Sequence, residues 1–244
     1  MRRFPTPCVA RGVTVPLGGF PTPPTGPHRP DEQHEEAAPV KFRRKPTEAP
    51  AAEPVEDVTS QEPAQSGPYD SSSVPDDLDR IDLGSLRIAP VPGRELRLQV
   101  NEESGDVAAV LLVGEDGAME MQPFSAPRTG SLWDEARPQI VQDVARRGGQ
   151  TAERQGRFGT ELLCQVPAQM PDGSAGVQPS RVIGIDGPRW MLRVTLLGRP
   201  AVEPEDSAEW EDGLAQVVVH RGDQAMPPGR PLPFVMPPQA RRSD

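Results

Sequence analysis

The sequence predicts an α+β domain: a mostly antiparallel sheet of about six or seven strands with two helices packed on it, preceded by a disordered N-terminal arm. Three observations carry this. Segments of alternating apolar and polar residues recur between turn signals from Glu95 onwards. A single well-capped helical stripe interrupts them at residues 131–147. All three tryptophans, Trp133, Trp190 and Trp210, lie in the second part of the chain, where a core must exist to bury them.

The arm is read from composition. Of 32 prolines, fifteen fall within residues 1–75. Residues 1–39 carry almost no apolar periodicity, so they bury too little surface to offset the entropy of ordering. At Val40 the character changes to Val40-Lys41-Phe42-Arg43-Arg44-Lys45, a basic cluster of the kind found at a protein's own start. We expect Val40 to be the natural first residue, with residues 1–39 as translated upstream sequence. An acidic, Ala/Pro-rich linker follows. The expected organisation is a Pro-rich arm and linker over 1–66, an α+β domain over 67–225, and an extended Pro-rich tail over 226–244 that leaves the domain.

Within the domain, Leu96, Leu98 and Val100 alternate on one face of a first strand. Residues 107–113 form a continuous apolar run, the pattern of a strand covered on both faces. Residues 118–124 return with Met119 and Met121 on one side. The helix over 131–147 begins at Ser131, a capping residue, with Asp134 near the positive end of its dipole. Trp133, Ala136, Ile140 and Val144 share a stripe, and Gly148-Gly149 ends the helix. Pro138 predicts a kink or a late start. Strands then follow from Thr151, with Thr160, Leu162, Cys164 and Val166 alternating, and again at 177–185 and 190–196. Asp186-Gly187 is the strongest hairpin signal in the chain. A second helix is expected from Glu205 to Val218, with Trp210, Leu214, Val217 and Val218 on its buried face.

The formal net charge is −10, of which −6 belongs to residues 81–244. Such a domain repels nucleic-acid backbones and anionic membranes unless it carries a local basic patch. The 41–45 cluster supports at most weak nucleic-acid binding. No run of residues is long and apolar enough for a membrane span. Pro5, Pro7, Arg11 and Pro16 interrupt any signal-peptide core. Two cysteines, Cys8 and Cys164, make no framework, which fits a reducing, cytoplasmic compartment.

No catalytic constellation is legible. The histidines His28, His34 and His220 form no metal-ligand spacing, and the sequence implies no cofactor. Phosphate-loop and nucleophile-elbow motifs are absent. Cys164 alternates with Leu162 and Val166 and reads as a small buried residue, although a Cys164–His220 pair is arithmetically possible. One loop is suggestive: Arg128, Gly130 and Ser131 lead into a helix start, where free N–H groups and an arginine can hold a small anion. Arg189 and Trp190, next to the Asp186-Gly187 turn, are the other candidate ligand-binding residues; the duller role is a turn followed by a core tryptophan.

Several motifs carry a family resemblance. They are Gly67-Pro68-Tyr69-Asp70, Arg80-Ile81-Asp82-Leu83-Gly84-Ser85-Leu86, Pro123-Phe124-Ser125-Ala126-Pro127-Arg128 followed by Leu132-Trp133, Phe158-Gly159-Thr160-Glu161-Leu162, Asp186-Gly187-Pro188-Arg189-Trp190 and Arg221-Gly222. Together, over about residues 67 to 236, they resemble the actinobacterial domain of unknown function 3710. The resemblance implies an actinobacterial cytoplasmic protein with a short basic N-terminus, and it brings no activity, cofactor or catalytic residue. Pro138 departs from the unbroken helix expected of relatives. The expected function is therefore a non-catalytic binding or scaffold domain that recruits a protein partner. The rival expectations are an enzyme or sensor holding a small anion at the Arg128 loop, and nucleic-acid binding through residues 41–45.

Overall fold

A computed structural model describes residues 11–15, 67–74, 79–101, 104–169, 173–237 and 241–242, all within one compact unit. The Val40 start and the basic cluster at 41–45 lie outside the described residues.

The body is a seven-stranded antiparallel sheet. Its strands are β5 (Glu95–Val100), β6 (Val107–Val113), β7 (Gly117–Ser125), β8 (Gln150–Gly156), β9 (Gly159–Gln169), β10 (Ala175–Gly187) and β11 (Trp190–Gly198), in the spatial order β5-β6-β7-β11-β10-β9-β8. The strand positions follow the alternation read from the sequence. β7 and β11 are neighbours in the sheet, while β8 lies at the far edge. The chain therefore leaves β7, crosses one face through helix α1 (Leu132–Arg146) to β8, and returns by hairpins.

Helix α1 has the ends the sequence predicts. The Ser131 hydroxyl accepts from the Asp134 amide at 2.9 Å. At the other end the Gly148 amide bonds Ala145 O, and Gly149 bonds Val144 O, with Gly148 at φ 75°. That pattern is a Schellman cap, and it needs the left-handed conformation glycine adopts without strain. The helix runs continuously through Pro138, which sits in its second turn.

The two faces of the sheet have different covers. On one, Leu96, Leu98, Val110, Leu112, Met119, Met121, Leu192, Val194 and Leu196 build the larger core. A small second sheet lies against it, made of β2 (Tyr69–Asp70), β3 (Ile81–Asp82), β4 (Leu86–Ile88) and β12 (Val218–Val219) in the order β2-β12-β4-β3. The segment after β11 joins it: α2 (Arg199–Val202), a 3₁₀ turn (Pro204–Asp206) and α3 (Ala208–Ala215). On the opposite face α1 packs Trp133, Ala136 and Val144 against Phe124, Leu162, Cys164, Val182 and Met191.

Each tryptophan N–H finds an acceptor. Trp133 bonds Thr160 O at 2.6 Å, Trp190 bonds Asp70 Oδ2 at 2.7 Å, and Trp210 bonds Asp116 Oδ2 at 3.3 Å. The Arg94 guanidinium lies 3.6 Å over the Trp210 ring, fastening α3 to the entry of β5.

Four expectations need correction. The second helix is broken: the segment from Glu205 to Val218 holds a 3₁₀ turn, an eight-residue helix and the first residue of β12. The β-branched run Val217-Val218-Val219 is buried by pairing with β4 and β2 rather than by a helix face. The hairpin turn lies two residues beyond Asp186-Gly187: Gly187 pairs with Trp190, so Pro188 and Arg189 are the loop. Proline fixes a negative φ at the first loop position and Arg189 takes φ 63°, the arrangement of a type II turn. The coil expected over 1–66 is interrupted at β1 (Arg11–Val15), which pairs antiparallel with the outer edge of β5. Finally, the tail does not leave the domain. Residues 226–237 strap back across it, and β13 (Arg241–Arg242) pairs with β1.

The strap has a clear backbone logic. β6 stops pairing with β7 at Val110–Met121, which leaves the last third of β7 with a free edge. The Ser125 amide then donates to Arg230 O, and the Leu232 amide to Pro123 O. Pro123 has no N–H, so no ladder donor is lost there. Further on, the Val235 amide bonds Leu83 O, and Leu232 is 2% exposed in the larger core. Leu232→Ala should therefore lower unfolding stability by about 2–4 kcal/mol, the usual cost of truncating a buried leucine. A urea midpoint unchanged by this substitution would show that the strap is not part of the cooperative fold.

Candidate functional site

Among the described residues no group of three or more His, Cys, Asp or Glu side chains could hold a metal ion, and no helix is long and apolar enough to cross a membrane. What the fold does build is a cavity of about 310 Å³ beside the C-terminal half of α1. Its floor is the α1-facing side of β7, β11, β10 and β9; Ile140, Asp143, Val144 and Arg147 of the helix form one wall. The strand register explains the lining. Glu120 is opposite Thr195, Thr195 opposite Val182, and Val182 opposite Leu162, so these four form one row across the sheet. Leu197, Ser180 and Cys164 form the next row. Gln122 is opposite Arg193 in the row on the other side.

Two charged groups sit on this floor. Burial pushes the Glu120 carboxyl above its ordinary range, and the Arg193 charge offsets only part of that. Burial likewise pulls the Arg193 guanidinium down against the opposing effect of Glu120. The two do not reach ion-pair distance, and the Glu120 carboxyl makes no hydrogen bond to any described residue. Arg193 is held from behind instead. Gln122 donates through Nε2 to Ala108 O at 2.9 Å, which directs its Oε1 to accept from Arg193 Nη2. The guanidinium also lies 5.3 Å from the centroid of the Phe124 ring. Arg193 is thus held in a partly apolar cavity, and both groups retain unused hydrogen-bonding capacity.

Cys164 belongs to the same cavity and is buried. Burial, partly opposed by a hydrogen bond with Ser180, pushes its thiol up to about 11, so it stays protonated at neutral pH. His220 is not near it: its Nδ1 bonds the Ser71 hydroxyl at 2.9 Å, beside the small sheet.

The residues singled out in the sequence gather at the other end of α1. The Ser131 hydroxyl donates to Asp186 Oδ2 at 2.6 Å, and Asp186 Oδ1 accepts from the Leu132 and Trp133 amides at 3.1 and 3.3 Å. The donors that a helix start offers to an anion are thus engaged by a carboxylate of the chain itself. Gly130 has φ 88° with open space around it, and Arg128 is exposed. Arg189 is exposed in its turn, with its carbonyl accepting from the Ala126 amide. Trp190 points to the opposite face and is 1% exposed. The structure brings the Arg128, Gly130, Ser131 and Arg189 backbones to one end of the sheet, but no cavity joins them.

A second ionic cluster is closed. Arg181, fully buried on β10, donates to Ser207 Oγ at 2.7 Å and to Glu211 Oε1 at 2.6 Å, and lies 2.8 Å from Glu161 Oε2. Arg154 approaches the other Glu161 oxygen at 3.1 Å. Burial opposes the Arg181 charge, and Glu161 and Glu211 together outweigh it, so its pKa is raised.

A family model spans residues 67–243, which is most of the chain. The chain belongs to the DUF3710 family. The family is described as protein of unknown function. The match includes the small sheet, both faces of the large one and the strap, so the strap is part of the DUF3710 domain, whereas β1 lies outside it. No curated protein and no solved structure matches the chain.

Glu120, Gln122 and Arg193 carry no site signal in the sequence. They alternate with Met119, Met121, Leu192 and Val194, so they read as the solvent side of half-buried strands. Only the crossing of α1 turns that side into a cavity.

Two tests follow. Asp186→Ala should cost about 1–2 kcal/mol by uncapping α1, whereas Arg128→Ala should change stability by no more than about 0.5 kcal/mol; equal denaturation midpoints for the two variants would deny Asp186 its capping role. Glu120→Gln should stabilise the protein at neutral pH. A carboxyl raised by folding costs stability where it is ionised, and nothing once both folded and unfolded states are protonated. The gain should shrink as the pH falls from the raised value towards the ordinary carboxyl range, as read from unfolding curves across that window.

Proposed function

We propose that this domain is a non-catalytic binding module that takes a small amphipathic molecule in the cavity beneath α1. The observation that carries the reading is that Glu120 and Arg193 stand on the cavity floor with hydrogen-bonding groups unused, ringed by Ile140, Val144, Val166, Val182 and Leu197. A concave site with apolar walls and a few polar groups is the common make-up of a ligand site. Burial keeps the Cys164 thiol protonated, which favours binding over covalent chemistry. The single buried, unpaired Cys164 fits a cytoplasmic setting. The rival anion site at Arg128 is disfavoured by Asp186, which occupies the helix donors.

A second reading, recruitment of a protein partner, is favoured by one observation. The outer edge of β5 accepts an extended segment, Arg11–Val15, over five paired positions. An edge that takes one strand by backbone ladder takes another of similar character. Without residues 11–15 that edge is open to a partner. Amide exchange at β5 should then be faster in a chain beginning at Val40 than in one beginning at Met1; equal rates would remove this support.

For the cavity, a thermal-shift screen of small metabolites should yield ligands that raise the melting temperature. Gln178 is an exposed residue of the lining, so Gln178→Trp should fold normally and lose the response. Ligands that stabilise the Trp variant as strongly as the parent would place binding elsewhere.

A further inference from the structure

We infer that the cavity selects a free α-amino acid with an apolar side chain, its carboxylate on Arg193 and its ammonium on Glu120. This rests on the binding reading above and names its ligand class.

The argument starts from register. Glu120 is opposite Thr195 and Gln122 is opposite Arg193 on antiparallel neighbours, so Glu120 and Arg193 are diagonal partners on one face. Diagonal positions stand roughly 7–8 Å apart, too far for short contact unless the side chains lean together, and here they form no ion pair. Arg193 is prevented from leaning by its bond to Gln122, which is itself anchored on Ala108 O. A bridge between the two must therefore come from outside the chain. It must present an acceptor to the guanidinium and a donor to the carboxylate. Charge-assisted bonds run at about 2.7–2.9 Å, so the two ends of the bridge must sit close together, as they do on a single α-carbon.

Charge balance narrows the choice further. A ligand with only a carboxylate would leave Glu120 desolvated and unpaired, and one with only an amine would do the same to Arg193. Both groups are half-buried, so leaving either one without a partner beneath a bound ligand is unfavourable. At the helix wall Asp143 is paired with Arg146, and Arg147 lines the cavity beside them. Thr195 and Ser180 add hydroxyls on the floor, Gln178 and Cys164 add an amide and a thiol, and Ile140, Val144, Val166, Val182 and Leu197 are aliphatic. A volume of about 310 Å³ is at the small end of ligand pockets, which suits a single residue-sized molecule.

The test is calorimetric titration of the full chain with free valine, leucine, methionine and phenylalanine. Each binder is then compared with its amide, which lacks the carboxylate, and with its deaminated acid, which lacks the ammonium. The inference expects at least one amino acid to bind and both single-charge analogues to bind at least tenfold more weakly. In Glu120→Gln the amino acid should lose that advantage over its deaminated acid. A deaminated acid or an amide that binds the parent as tightly as the amino acid overturns the inference. If none of the four binds, while other molecules raise the melting temperature and Gln178→Trp abolishes their effect, the inference fails and the binding reading stands. If nothing binds in either assay, both fail.

Discussion

Arg181 is the residue on which the layering of this domain turns. Its guanidinium is wholly buried between Glu161 and Glu211 and bonded to Ser207. Burying a cation this deeply is unfavourable unless the opposing charges and hydrogen bonds are already in place. Glu161 comes from the neighbouring strand β9, and Ser207 and Glu211 from the segment that follows β11. Three stretches of chain must therefore arrive together. Side chains alternate along a strand, so fixing Arg181 on one face sends Ser180 and Val182 to the other. A slip of one residue in β10 would expel Arg181 from its carboxylates and take Ser180 and Val182 off the cavity floor.

The cavity itself is a consequence of topology. Going from β7 to β8 means crossing β11, β10 and β9, four strand spacings or roughly 19 Å. A fifteen-residue helix is about 22 Å long and makes that crossing without slack. Its first turn is seated on Gly184, where an added Cβ would lie 2.0 Å from a ring carbon of Trp133. Asp186, two residues along the same strand, caps the same turn. With its N-terminus fixed in this way and only one helix on the face, the sheet beside its C-terminal half is left partly uncovered. Among the described residues the small sheet, α3 and the strap serve the other face, and none of them fills the gap.

Much of this was legible in the sequence because it depends on local rules. The strands from Glu95 to Gly198 follow period-two alternation, and α1 begins at Ser131 and ends at Gly148 for reasons of capping alone. The misread elements depend on distant partners. Val217, Val218 and Val219 fit either a helical stripe or a strand, and only β4 and β2, about 130 and 150 residues earlier, decide for the strand. The strap looks like coil because proline breaks its periodicity, yet β7 offers it an edge that Pro123 leaves partly without donors. Pro188 moved the turn past Asp186-Gly187, since its fixed φ suits the first loop position. The Arg128 loop was a reasonable anion site by local geometry; its occupant, Asp186, lies more than fifty residues away in the chain.

The buried Arg181 cluster and the half-buried Glu120 and Arg193 carry charge in different ways. Around Arg181 every large charge has its counterpart inside the protein: Glu161 between two arginines, Glu211 against Arg181 and Ser207. Such a cluster is paired in charge within the protein, although Arg181 Nε meets no hydrogen-bond partner. Glu120 and Arg193 share a face, a cavity and a mutual field, yet neither satisfies the other. If their purpose were cohesion, apolar residues at both positions would continue the Val182 and Leu162 row and bury the face at lower cost. If their purpose were solubility, they would not lie on central strands beneath a helix. Gln122 and Phe124 hold Arg193 in position rather than neutralising it. Under the proposed binding reading, a half-buried pair held apart in this way is satisfied when a ligand enters between the two groups.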